Sequence, residues 1–189
     1  MAFRANPLGV MVNNYLMKMA LPLSVWFIAE YLLRNAATAH VGLSMVMVPM
    51  MLVTPYIIFR ILRRLRQTML SDMMLGLQAW TFGVQLAFFA GLIEALFIYV
   101  YNQFLFPDAI AQNLQQTLSM YDQMMIQLKD SGVDTTFWSQ FEETLDQLRE
   151  APIPSAIETA ISTLSNEIML AMLYMIPVAL CVRKKPRMD

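Results

Sequence analysis

Met73–Ile93 reads MMLGLQAWTFGVQLAFFAGLI, 21 residues without a single Asp, Glu, Lys or Arg. A helix rises ~1.5 Å per residue, so this stretch covers about 30 Å, the thickness of a bilayer's hydrocarbon core. No water is available there to satisfy backbone amides and carbonyls, so the chain has to satisfy them internally, as a helix does. Continued to Phe106, with Trp80 at its start, the segment is bracketed by aromatic rings suited to the membrane interface, and it defines a span over 80–106. Residues 35–59 form a second run without Asp, Glu, Lys or Arg.

The whole chain agrees with that reading. Of its 189 residues, 58% are hydrophobic and 14% charged, and the mean hydropathy is +0.49. Those values lie outside the usual balance of a soluble domain. Three further spans are expected, at 15–33, 41–59 and 156–182. The first has Lys18 and Glu30 near its ends. A cleavable signal peptide is the rival for it, because Ala37-Thr38-Ala39 resembles a cleavage site, but Glu30 and Arg34 would then stand between the apolar core and the cut. The second is rich in methionine, and Pro49 and Pro55 predict kinks. The last opens with Ser155-Ala156-Ile157-Glu158, a capping box whose Ser and Glu side chains satisfy free backbone amides.

Between the third and fourth spans, residues 107–153 are polar. Ile110, Leu114, Leu118, Tyr121, Met125 and Leu128 recur at helical spacing, Asp130-Ser131-Gly132 breaks the pattern, and Phe137, Phe141, Leu145 and Leu148 resume it. The expected fold is therefore all-α: one integral membrane domain, a four-helix bundle with an amphipathic helical hairpin between helices 3 and 4. Ten of the thirteen basic residues fall on the side of the N-terminus, and the hairpin carries eight acids against two bases. By the positive-inside rule both termini are cytoplasmic and the hairpin is extracytoplasmic.

Composition and motifs exclude several classes of function. A net charge of -1 implies no nucleic acid, and one cysteine, Cys181, builds neither a disulfide framework nor a metal cluster. With His40 as the only histidine, no metal site and no catalytic triad assemble, and no cofactor motif is present. Glu94 and Glu167 are the polar residues most exposed to this argument. Each falls near mid-span, where a charge costs about 2.5–3.5 kcal/mol, and neither has a Lys or Arg at its depth. Asn166, Gln85 or a tyrosine are their expected partners. The bland reading is an interhelical hydrogen bond that fixes packing, and the functional one is a proton or cation relay or a grip on a lipid headgroup.

Gly83, Ala87, Gly91 and Ala95 form a small-residue stripe that lets a neighbouring helix approach closely, within the chain or in a homo-oligomer. Arg60, Arg63, Arg64 and Arg66, with Arg183, Lys184 and Lys185, make a basic surface that attracts anionic lipid headgroups or docks a soluble enzyme.

Trp80, Phe82, Gly83 and Gly91, the junction Val100-Tyr-Asn-Gln-Phe-Leu-Phe-Pro-Asp108, the amphipathic segment and the last span with its basic tail together resemble a bacterial inner-membrane family, the domain of unknown function 4199 family. The resemblance implies location and fold and offers no catalytic residues. It also implies, by association, a membrane subunit that assists a polyprenyl-phosphate glycosyltransferase in cell-envelope glycan synthesis. Two functions follow as expectations: a non-enzymatic accessory or anchoring subunit that contacts membrane lipid such as polyprenyl phosphate, or a small proton-coupled carrier or lipid flippase using Glu94 and Glu167.

Overall fold

The computed structural model describes residues 7–39, 41–70, 72–130, 143–147 and 149–184. Five long helices account for most of them: α1 (Pro7–Ala39), α2 (Val41–Met69), α3 (Gly76–Val100), α4 (Ala109–Asp130) and α5 (Ala156–Val182). A single π-turn, Tyr101–Leu105, extends α3. Among the described residues there is no strand, only an isolated bridge between Met74 and Lys184. The fold is an all-α helical bundle in which α1, α2, α3 and α5 pack side by side, α3 against α5 most extensively.

Three of these helices are long and apolar enough to cross a membrane: α1 over Pro7–Ala37, α3 with its π-turn over Gly76–Leu105, and α5 over Ala156–Val182. The protein is a membrane protein on that ground. The second expected span, 41–59, lies within α2 and includes side chains outside the described residues. Helix boundaries run past the expected spans because a helix does not stop where the hydrocarbon does. α1 begins eight residues before 15, and α2 continues ten residues beyond 59, carrying the arginines out on its last turns.

Pro22, Pro49, Pro55 and Pro177 all lie inside helices that continue through them. The expected cap opens α5: Ser155 Oγ accepts from the Glu158 amide at 3.3 Å, and the Ser155 amide donates to Glu158 Oε2 at 2.7 Å.

Packing inverts the usual soluble pattern on the outside. Met45, Leu52, Leu77, Leu96, Leu173 and Leu180 are exposed, as a surface solvated by lipid requires, while Leu23, Phe27, Ile58, Leu86 and Met175 fill the interior. The stripe on α3 turns inward toward α5. A Cβ on Gly83 would overlap the Met175 thioether, and one on Gly91 would stand 2.9 Å from Leu164 Cδ1. Gly83, Ala87 and Gly91 are buried and Ala95 half-buried.

The chain runs up and down. Leu8 at the start of α1 and Lys184 just after α5 line one cleft together with Met69 and Met74 from the α2–α3 connection. Both described ends of the chain therefore lie at the same end of the bundle, the basic end. At the far end the π-turn gathers aromatic rings: Tyr101 meets Phe106 at 4.8 Å and Tyr31 edge-on at 6.1 Å between ring centroids. Beyond it, α4 packs on α1. The first arm of the expected hairpin is α4. Of the second arm, Phe137, Phe141 and Leu148 lie outside the described residues, whereas 143–147 and 149–150 are helical. Arg149 ties that segment to α4 through an ion pair with Asp122.

Candidate functional site

Two constellations stand out, one at the basic end and one inside the bundle. At the basic end the arginines of α2 divide by helical face. Arg66 turns inward, donates to the Val182 carbonyl at the C-terminus of α5, and contacts Asp72 Oδ1 at 3.0 Å. Cations are favoured at that position because the last carbonyls of a helix carry negative partial charge. Asp72 also takes an ion pair from Lys184. Its backbone is left-handed, with φ 59°, which a short polar side chain tolerates better than most. The hydrogen bond and charge of Lys184, with the charge of Arg66, hold the Asp72 carboxyl below the ordinary aspartate range. Met74 and Lys184 exchange backbone hydrogen bonds of 3.2 and 2.9 Å beside it. This clamp fastens the end of α5 to the α2–α3 turn.

Arg60, Arg63 and Arg64 turn outward. With Tyr15 from α1 and Gln67 they line an open cleft of about 380 Å³. Among the described residues no carboxylate pairs with these three guanidinium groups. Tyr15 Oη is buried and without a hydrogen-bond partner. Guanidinium groups present forked N–H donors that match phosphate oxygens, so the cleft has the chemistry of an anion site. The second cleft of about 350 Å³, floored by Leu8, Met69, Met73 and Met74, opens at the same end.

Inside the bundle, three buried carboxyl groups lie within reach of one another's charge. Glu94 stands eleven residues before Leu105 (105 less 94) and Glu167 eleven after Ala156 (167 less 156), while Glu30 stands nine before Ala39 (39 less 30). At ~1.5 Å per residue the first two are about 16 Å from the far end. Relative exposures of 8%, 2% and 7% for Glu30, Glu94 and Glu167 place all three in the interior. Glu94 lies in the electrostatic field of Glu167, Arg34 and Glu30, and Glu167 in that of Glu30 and Arg34. Arg34, one turn beyond Glu30, is the cation that inspection of span depth alone passes over.

Glu30 is well held. Thr54 Oγ1 donates to its Oε1 at 2.8 Å and Trp26 Nε1 at 2.9 Å, and the indole also donates to Thr54 Oγ1 at 2.9 Å. Glu94 Oε2, by contrast, is buried with no partner. α3 and α5 pack closely because the stripe presents only hydrogens and methyl groups to α5, with Gly91 against Leu164, and the charge of Glu167 reaches Glu94 across that interface.

Gln85 and Asn166, the amides expected beside the glutamates, are placed elsewhere. Gln85 Nε2 donates to Asn13 Oδ1 at 2.7 Å, and Asn166 is exposed on the outer face of α5. Arg183 and Lys184 are exposed at the basic end, and Lys185 lies outside the described residues. The pattern of residue types did not single out Glu30 with Trp26 and Thr54, nor Asn102, buried in the π-turn and donating to Tyr31 Oη at 2.9 Å. The signal for Glu30 was present in its spacing, since Trp26 and Glu30 are i, i+4 neighbours on one helical face. Among the described residues no group of three or more His, Cys, Asp or Glu is arranged to hold a metal ion.

Comparison with known proteins finds one family match. Residues 17–184 match the family described as protein of unknown function (DUF4199). No curated protein and no solved structure matches the chain.

Proposed function

This chain belongs to the DUF4199 family, and we propose that it is a non-enzymatic accessory subunit that binds a phosphate-bearing lipid at the basic end of its bundle. The observation that carries this reading is the cleft of Arg60, Arg63 and Arg64 with Tyr15 and Gln67, three unneutralised guanidinium groups around a space of about 380 Å³. A phosphate fits the donors, and the apolar cleft at the same end, with Leu8, Met69 and Met73, is suited to the start of a lipid chain. A polyprenyl phosphate has both parts. In the fuller form of the proposal the protein sits in a bacterial inner membrane with four passes, both termini and the basic end cytoplasmic, and presents that lipid to a glycosyltransferase of cell-envelope glycan synthesis docked on the same face.

The test is lipid binding by the whole protein in nanodiscs, with and without a polyprenyl phosphate, read by native mass spectrometry. Each basic residue near an anionic surface contributes about 1 kcal/mol, so R60E/R63E/R64E should weaken binding by about 3 kcal/mol or more, roughly two orders of magnitude in Kd. Arg66 is left intact in this variant because it clamps α5. Equal binding by the variant and the parent refutes the lipid site. Purification of the parent and the variant in mild detergent tests the partner separately: the transferase is expected with the parent alone.

A further inference from the structure

The carboxyl groups inside the bundle are not used by a phosphate-binding cleft at its end, and they demand their own account. We propose that Glu30, Glu94 and Glu167 form an intramembrane proton-binding site, with Glu94 as the group that takes up and releases the proton. The argument starts from charge. Three buried acids from three helices lie in one electrostatic field with one neighbouring cation among the described residues, Arg34. Fully ionised, the group would hold two uncompensated negative charges in a hydrocarbon environment, and isolated buried ions are neutralised instead by binding protons.

Geometry selects which acid exchanges. Glu30 is fixed by donors from Trp26 and Thr54, both of which favour a carboxylate, and its neighbour Arg34 is on the same helix. Glu94 has no such donor: its Oε2 is enclosed, unpartnered and 2% exposed. The other charged groups whose fields reach it are Glu167 on α5 and Glu30 and Arg34 on α1. α2 contributes Thr54 to this layer and no ionisable group among its described residues. A metal ion is the other ligand that acids attract, and the described residues offer no cluster that would hold one.

Of the three acids, Glu30 borders a narrow pocket toward the far end. Glu30, Arg34, Met50 and Met51 line a narrow pocket between α1 and α2. Arg34, exposed at its mouth, is positioned to hold the charge of Glu30 while a proton passes inward. Nothing in this proposal depends on the phosphate cleft, which lies at the opposite end.

The probe is dicyclohexylcarbodiimide, an apolar reagent that reacts with protonated carboxylic acids inside membranes. The acid proton goes to one nitrogen, the carboxylate oxygen adds to the central carbon, and rearrangement leaves a stable N-acylurea whose mass locates the residue. The whole protein in nanodiscs is labelled across a pH series and mapped by peptide mass spectrometry. Glu94 is expected to carry the adduct. Its labelling should fall about tenfold per pH unit once the site deprotonates, in proportion to the protonated fraction. E94Q should lose that adduct while still binding phosphate lipid as the parent does.

Difference infrared spectroscopy gives a second readout that does not depend on reagent access. A carboxylic-acid C=O band should be present at neutral pH, shift in D₂O, and be lost or diminished in E94Q. Labelling confined to exposed acids such as Asp122, together with no acid C=O band attributable to Glu94, overturns the proposal. An acid band that E94Q removes sustains it even where the reagent fails to enter.

Discussion

Adding one methyl group at Gly83 measures how tightly α3 and α5 are pressed together. Gly83→Ala changes two quantities of opposite sign. Alanine restricts the unfolded chain more than glycine, so inside a helix it contributes about 0.5–1 kcal/mol of stability. Against this, the new Cβ would occupy the space of the Met175 thioether, and Met175 is fully buried, with 0% of its surface exposed, so its flexible end has to repack among its core neighbours. Overpacking of this kind costs about 1–3 kcal/mol. Gly9, on the exposed start of α1, has nothing within 4 Å of its would-be Cβ, so Gly9→Ala registers the propensity gain alone. Reversible unfolding in mixed micelles should therefore place G83A about 1–3 kcal/mol below G9A. Met175→Ala empties a core position and costs about 2–5 kcal/mol by itself, but in that background the penalty of G83A should vanish, because its methyl then enters the vacated space. The reasoning is refuted if G83A equals G9A in the parent protein, or if its penalty is unchanged when Met175 is alanine.

The clamp at the basic end carries a pH signature. Because Lys184 and Arg66 lower the Asp72 pKa on folding, its contribution is fully present above the unfolded aspartate value and lost as pH falls through the folded one. The protection of the Met74 and Lys184 amides, taken against the intrinsic exchange rate at each pH, should be high at neutral pH and fall only below about pH 3.9, and D72N should leave it low at every pH. The Glu30 network is testable by Thr54→Val, which keeps the shape and removes the hydroxyl that donates at 2.8 Å. It should cost about 0.6–2 kcal/mol in the same unfolding assay, the range of hydrogen bonds between membrane helices. An unchanged stability would mean that Trp26 alone satisfies Glu30.

Much of the architecture was legible because membrane helices follow a few strong rules. Uncharged runs locate α1, α3 and α5, Ser155 and Glu158 announce the start of α5, and the glycines of α3 announce a close helix neighbour. What stayed hidden were pairings that depend on rotation about helix axes. Gln85 and Glu94 are nine residues apart on α3, which turns them about 180° from each other at ~100° per residue, so they could not share a partner. Asn166 and Glu167 are adjacent and therefore point about 100° apart, one outward and one in. Arg66 differs from Arg63 and Arg64 for the same reason, and it serves the fold while they face the cleft. Glu30 escaped notice because depth was counted from an expected span end at 33, whereas α1 continues to Ala39 and draws Glu30 inward.

The same rotation explains why close packing and buried acid belong together in α3. Gly83, Ala87 and Gly91 occupy steps of four residues, a row that drifts around the helix by about 40° per step. Glu94, three residues past Gly91, falls back onto the buried side with Ala87, Ala90 and Ile98. A helix with bulkier residues in that row would keep α5 at the ordinary separation of 8–10 Å between axes, with room for lipid or water to reach a carboxylate. Glycine there lets α5 approach, with Gly91 against Leu164, and the charge of Glu167 reaches Glu94 across that interface. In the proton-binding site proposed above, uptake at Glu94 then depends on the charge that Glu167 carries, so the close packing of the two helices is part of the site.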